Sequence, residues 1–89
     1  MHAMVFRVTI EADREEAEKA LKEQLVPAMS QAPGFVAGYW VNVGGDQGRS
    51  MVVFESEEAA QRAAEQVGGP PEGVASVDSF ETGEVVAHA

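Results

Sequence analysis

The sequence predicts an α+β fold of the ferredoxin-like βαββαβ type, a four-stranded antiparallel sheet with two helices on one face. Three observations carry the prediction. Four segments have strand composition or a two-residue alternation, and two others repeat small or apolar residues at helical spacing behind a capping residue. Their order along the chain is β, α, β, β, α, β, the split βαβ arrangement. Residues 1-89 are expected to form one domain, since a chain this short cannot enclose two cores.

The first strand is read from Ala3 to Ile10, where Met4, Phe6, Val8 and Ile10 alternate with Val5, Arg7 and Thr9. Asp13 then caps a helix, with Glu16 placed to return the bond in a capping box. Ala17, Leu21, Leu25, Ala28 and Met29 form its apolar stripe. Glu15 with Lys19, and Glu18 with Lys22, are spaced as i,i+4 ion pairs. Pro27 lacks a backbone donor and crowds the carbonyl of Glu23, so a kink or break is expected there. The helix should end before Pro33-Gly34.

Phe35 to Val43 is the second strand, aromatic and β-branched. The glycine-rich Gly44-Gly45-Asp46-Gln47-Gly48 has no following Lys-Ser/Thr, so it reads as a hairpin loop and not as a phosphate cradle. Ser50 to Glu55 is the third strand. Ser56 caps the second helix, and Glu57 and Glu58 in its first turn favour the positive end of the dipole. Ala59, Ala60, Ala63, Ala64 and Val67 make a stripe small enough for close approach to a sheet, and Gly68-Gly69-Pro70-Pro71 ends the helix. The fourth strand runs from Val74 to Val86, with an interruption near Gly83. The expected sheet has the first and third strands central, the fourth beside the first and the second beside the third, which brings His2 close to the end of the chain and His88.

Two helices cover one face, yet the strands are apolar on both parities. Val5 opposes Met4 and Phe6; Val52 and Phe54 oppose Met51 and Val53; Val36 and Trp40 oppose Phe35, Tyr39 and Val41. A solvated face would alternate more cleanly. A second copy of the sheet is therefore expected on the other face, against residues such as Val5, Val36, Val52 and one of Tyr39 or Trp40.

Composition excludes several functions. Fifteen acids against six bases give a net charge of -9, which repels phosphate backbones and anionic lipid, so neither nucleic acid nor membrane is an expected partner. No cysteine is present, which removes disulfides, thiolate nucleophiles and zinc–thiolate sites. No apolar run approaches the ~18 residues of a membrane span. Met1 to Arg7 lack the basic-then-apolar pattern of a secretory leader, so a cytoplasmic location is expected. No Ser-His-Asp order, HExxH or metal-spaced carboxylate cluster supports hydrolysis or metal catalysis.

Pro33-Gly34-Phe35 ahead of a strand containing Gly38-Tyr39-Trp40, the glycine-rich hairpin, Met51-Val52-Val53-Phe54-Glu55-Ser56-Glu57-Glu58-Ala59-Ala60 and the late helical Pro27 together resemble the antibiotic biosynthesis monooxygenase (ABM) family of dimeric α/β barrels. The resemblance implies two chains joining their sheets in a homodimer, with a pocket in each protomer between helices and sheet. Some members are cofactor-independent oxygenases of aromatic substrates, and others degrade haem with a helix-borne histidine, an Asn and a Trp. Here the histidines are His2 and His88, on neither helix, so haem is not expected and no cofactor is assigned.

Four residues are candidates for ligand binding. Trp40 and Tyr39 are consecutive on a strand and point to opposite faces, one toward core or pocket and the other toward a dimer interface. Asn42 shares Trp40's face and could orient a flat ligand or serve a turn. Arg7 could pair across strands with Glu81 or Glu84, or clamp a ligand carboxylate. The expected function is a binding or structural dimer, with a small hydrophobic molecule as its possible ligand; the alternative is cofactor-independent oxygenation of an aromatic or polycyclic substrate. A cavity of roughly 300 Å³ or more holding a polar pair would mark a ligand site. One filled by Trp40, Phe54 and Met29 would mark a purely structural protein.

Overall fold

Alternation in the strands and stripes on the helices assemble in the expected order. The computed structural model describes residues 1–89 and contains β1 (His2–Ile10), α1 (Arg14–Ala20), a π-helical turn over Leu21–Leu25, α2 (Val26–Ser30), β2 (Phe35–Gly44), β3 (Gln47–Phe54), α3 (Glu57–Val67) and β4 (Ala75–Glu84). The sheet order is β2-β3-β1-β4, antiparallel at every junction. His2 pairs with Glu84, and the Val85 N–H donates to the Met1 carbonyl at 3.0 Å, so the two chain ends are neighbours. No helix is long and apolar enough to cross a membrane.

The core lies between the sheet and the helices: Met4, Met29, Val52, Phe54, Ala60 and Ala63. Alanines at 60 and 63 let α3 lie close to β1 and β3. The approach is tight at Gly34, where a Cβ would stand 2.7 Å from the Ala59 Cβ and where φ is +84°, so glycine is required twice over. Phe35 meets Phe54 edge-on, with ring centroids 6.0 Å apart.

Pro27 does not break the first helical run. The Val26 N–H reaches back five residues to the Leu21 carbonyl, and this widened turn shifts the carbonyls that the proline ring would strike. The helix continues to Ser30. Widening also delays the stripe by one residue, so Ala28, which 3.6-residue spacing puts inward, is exposed and Met29 is buried. Ala20, before the turn and three residues from Ala17, is buried by ordinary helical spacing. The caps form at both expected residues. The Glu16 N–H donates to Asp13 Oδ1 at 2.8 Å and the Ala59 N–H to Ser56 Oγ at 3.1 Å, although Glu16 does not return its bond. Neither expected ion pair forms on the first helix. Glu18 instead takes Arg14 at 3.1 Å, and on α3 Arg62 takes Glu58 at 2.6 Å; all four side chains are solvated, so both pairs contribute little.

Register assigns the two faces. Gly38–Val52–Met4–Thr82 and Trp40–Ser50–Phe6–Phe80 form rows beneath the helices, and Tyr39–Met51–Val5–Glu81 and Val41–Arg49–Arg7–Ser79 form rows on the open face. Val52, expected on the open face, is fully buried under the helices, and its neighbours Met51 and Val53 hold the open side. A bulge between Phe35 and Ala37 sets Phe35 on Trp40's face, which unbroken alternation would forbid. Arg7 stands opposite Arg49 and Ser79, while Glu81 is opposite Val5 and Glu84 opposite His2, so the expected cross-strand ion pair is absent. Val5, Val36, Tyr39, Val41 and Met51 are between 39% and 60% exposed.

Candidate ligand cavity

Small residues on β3 create the site. On the helix-covered face, β3 carries Gly48 and Ser50 where β1 carries Val8 and Phe6 and β2 carries Asn42 and Trp40. The missing bulk leaves a cavity of about 350 Å³ between the sheet and the first helical run. Val8, Ile10, Gly48 and Ser50 form its floor; Ala17, Leu21 and Leu25 form its roof; Pro71 and Val74 close one side; and Arg14, Glu18 and Asp46 stand at its mouth. Both leucines belong to the π-helical turn, so the turn that accommodates Pro27 also shapes the roof.

Trp40 is the side wall, and Gly38 positions it. A Cβ at Gly38 would stand 2.7 Å from Cη2 and 2.8 Å from Cζ3 of Trp40, so the indole can lie along its own strand only because residue 38 is glycine. Ser50 is the buried polar residue of the sheet, in register between Trp40 and Phe6. Its hydroxyl has no partner in the chain, yet no sealed side-chain polar atom is left unpartnered, so Oγ opens into the cavity it lines. The Trp40 indole N–H likewise has no partner in the chain and is not sealed from solvent. Both residues line the cavity, and neither side chain has its polar group engaged within the chain.

Of the four sequence candidates, the structure brings Trp40 and Asn42 to this cavity and leaves Tyr39 and Arg7 on the open face. Asn42 is engaged by the hairpin: its Oδ1 accepts from the Gly44 N–H at 2.8 Å and its Nδ2 donates to the Gly45 carbonyl at 3.4 Å. It shapes the mouth, with both its amide oxygen and its amide nitrogen tied to the hairpin backbone. Ser50, Gly48, Leu21 and Leu25 were missed by sequence reasoning. The available signal was a glycine and a serine on the parity of Val52 and Phe54, two gaps in an otherwise bulky row.

The cavity does not suit haem. None of its lining residues is His, Cys, Tyr or Met, the side chains that hold haem iron; His2 lies in β1, and His88 borders a separate groove on the open face. Titration with haem is expected to give no stoichiometric Soret change and, with a reductant, no verdohaem- or biliverdin-like product. A one-to-one histidine-coordinated complex would contradict this.

No protein-family model matches the chain, and no curated protein sequence does. Solved structures share its fold. SnoaB, a cofactor-independent oxygenase from Streptomyces nogalater, superposes with a TM-score of 0.81 at 17% identity, over 98% of this chain and 94% of that one. A variant of MhuD with two manganese protoporphyrin IX bound per active site gives 0.72 at 20% identity, over 100% of this chain and 98% of that one. A candidate antibiotic biosynthesis monooxygenase from Chloroflexus aurantiacus gives 0.64 at 16% identity, over 100% and 98%. The fold is the ABM-like one.

Proposed function

We propose that this ABM-like chain binds a small planar aromatic molecule in the cavity beneath the first helix and works as a homodimer. One observation carries the reading: a cavity of about 350 Å³ with a largely apolar floor and roof, lined by the Trp40 indole and by Ser50, whose hydroxyl has no partner in the chain. That volume lies within the roughly 300–1,000 Å³ of small-molecule sites, at the lower end. Phe54 and Met29, which could have filled it, pack instead in the adjoining core. A flat ring would lie against the Trp40 indole and under Leu21 and Leu25, with a hydroxyl or carbonyl oxygen directed at Ser50. The homodimer is supported by the open face, where Val5, Met51 and Tyr39 form an uncovered apolar row.

Trp40 is the chain's one tryptophan, so its emission reports the cavity directly. Titration with 1-naphthol and with anthrone is expected to quench it saturably, one ligand per chain. Quenching that stays linear and matches free tryptophan would contradict the site.

Cofactor-independent oxygenation is the second reading, supported by the likeness to SnoaB. It requires anthrone and one O₂ to give anthraquinone and one water. Quinone formed at a rate that saturates with anthrone selects this reading; anthrone bound and returned unchanged selects binding alone.

A further inference from the structure

We infer that Arg7 and Arg49 form a cationic pair that receives the carboxylates of Asp78 and Glu81 from a second copy of the chain. The inference rests on the homodimer proposed above and specifies how its two open faces fit. Arg7 and Arg49 stand directly opposite one another on β1 and β3, an arrangement that like charges disfavour. Neither is in an ion pair, although the chain has fifteen acids for six bases. Arg49 is half-buried and spends one donor on the neighbouring Gly48 carbonyl at 2.9 Å. A guanidinium has five N–H donors, so most of its capacity remains free.

The matching acids lie on the same face, at its edge. Glu81 is opposite Val5, and strand alternation directs both outward from the helices. Asp78 occupies the β4 bulge beside Arg7 and Val8, and its Oδ2 accepts from Thr9 Oγ1 at 2.6 Å, which turns it toward the face that Thr9 shares with Arg7. The open face is therefore positive at its two central strands and negative along β4, with the Val5–Met51–Tyr39 row alongside. Such a surface is self-complementary. A two-fold contact that sets β4 of each protomer over β1 and β3 of the other forms every pairing twice and buries the apolar rows with it.

Two double variants test this; register sets Arg7, Arg49 and Glu81 on the open face, with Arg49 also bordering the cavity, and the Thr9 bond turns Asp78 to the same face. Arg7→Glu with Arg49→Glu, and separately Asp78→Arg with Glu81→Arg, should each weaken self-association by about 100-fold or more in sedimentation equilibrium, with helix content unchanged. An equimolar mixture should restore a dimer to within about tenfold of wild-type affinity, because each contact in the mixed pair is again between opposite charges. A wild-type dimer indifferent to both swaps, or a mixture that stays monomeric, overturns the inference while leaving the dimer standing. A monomeric wild-type chain overturns both. Citrate binding to the wild-type dimer that disappears in the arginine variant, without dissociation, would mark a small-anion site and overturn the copy-to-copy pairing.

Discussion

Met51→Asp is expected to give a folded monomer, and Val52→Asp no folded chain at all. The two residues are adjacent on β3 and differ only in the face they serve. Val52 is 0% exposed among Met4, Met29 and Phe54, so a carboxylate there would have neither water nor a partner. Burying it costs several kcal/mol, whether as an unpaired charge or as a neutralised acid. Small domains have total stabilities near the bottom of the usual ~5–15 kcal/mol, so that loss is enough to unfold the chain. Met51 is 43% exposed in the single chain, between Val5 and Tyr39. An aspartate there stays hydrated in the monomer and becomes buried only when a second sheet arrives. Circular dichroism should show the native spectrum for Met51→Asp, and sedimentation should give the mass of one chain. A dimeric Met51→Asp would place the interface elsewhere, and a native spectrum for Val52→Asp would mean the faces are reversed.

Ser50→Leu is expected to abolish ligand binding without loss of stability. The new side chain would project from the floor into the cavity, between Phe6 and Trp40 and toward Leu21 and Leu25. It would occupy the ligand's volume and remove the hydroxyl together. Affinity for the aromatic probe should fall by about 100-fold or more, equivalent to ~2.7 kcal/mol. Thermal stability should hold or rise, because filling a cavity with apolar atoms adds contacts that the native core lacks. Arg7→Ala and Tyr39→Phe, on the opposite face, should leave calorimetric affinity within about twofold. Undiminished binding to Ser50→Leu would mean the ligand sits elsewhere.

Most of the architecture was legible because it depends on signals of one or two residues. Asp13 and Ser56 announce their helices through short side-chain bonds, Gly44-Gly45 announces the hairpin, and the order of segments fixes the sheet. What depended on exact phase was less legible. A single extra residue at Val36 reverses parity along β2, and the widened turn before Pro27 carries the helix stripe past Ala28 to Met29. Val52 was misplaced because Met51, Val52, Val53 and Phe54 are all apolar, so alternation has nothing to contrast. Trp40 and Asn42 stood out as candidates because they are chemically conspicuous. Ser50 and Gly48 shape the cavity by being small, and smallness has meaning only beside the neighbours that register supplies. Arg7 and Arg49 show the same limit: their opposition arises from pairing between segments about forty residues apart.

The most direct test of the proposed cavity is a titration of the ¹⁵N-labelled chain with 1-naphthol or anthrone, followed by NMR. One tryptophan gives one indole N–H resonance. This signal is expected to shift saturably with the amides of Gly48, Ser50, Leu21 and Leu25, while those of Arg7, Tyr39 and Met51 stay in place. Shifts confined to the open face, or an indole signal that does not move with either compound up to its solubility, would contradict it.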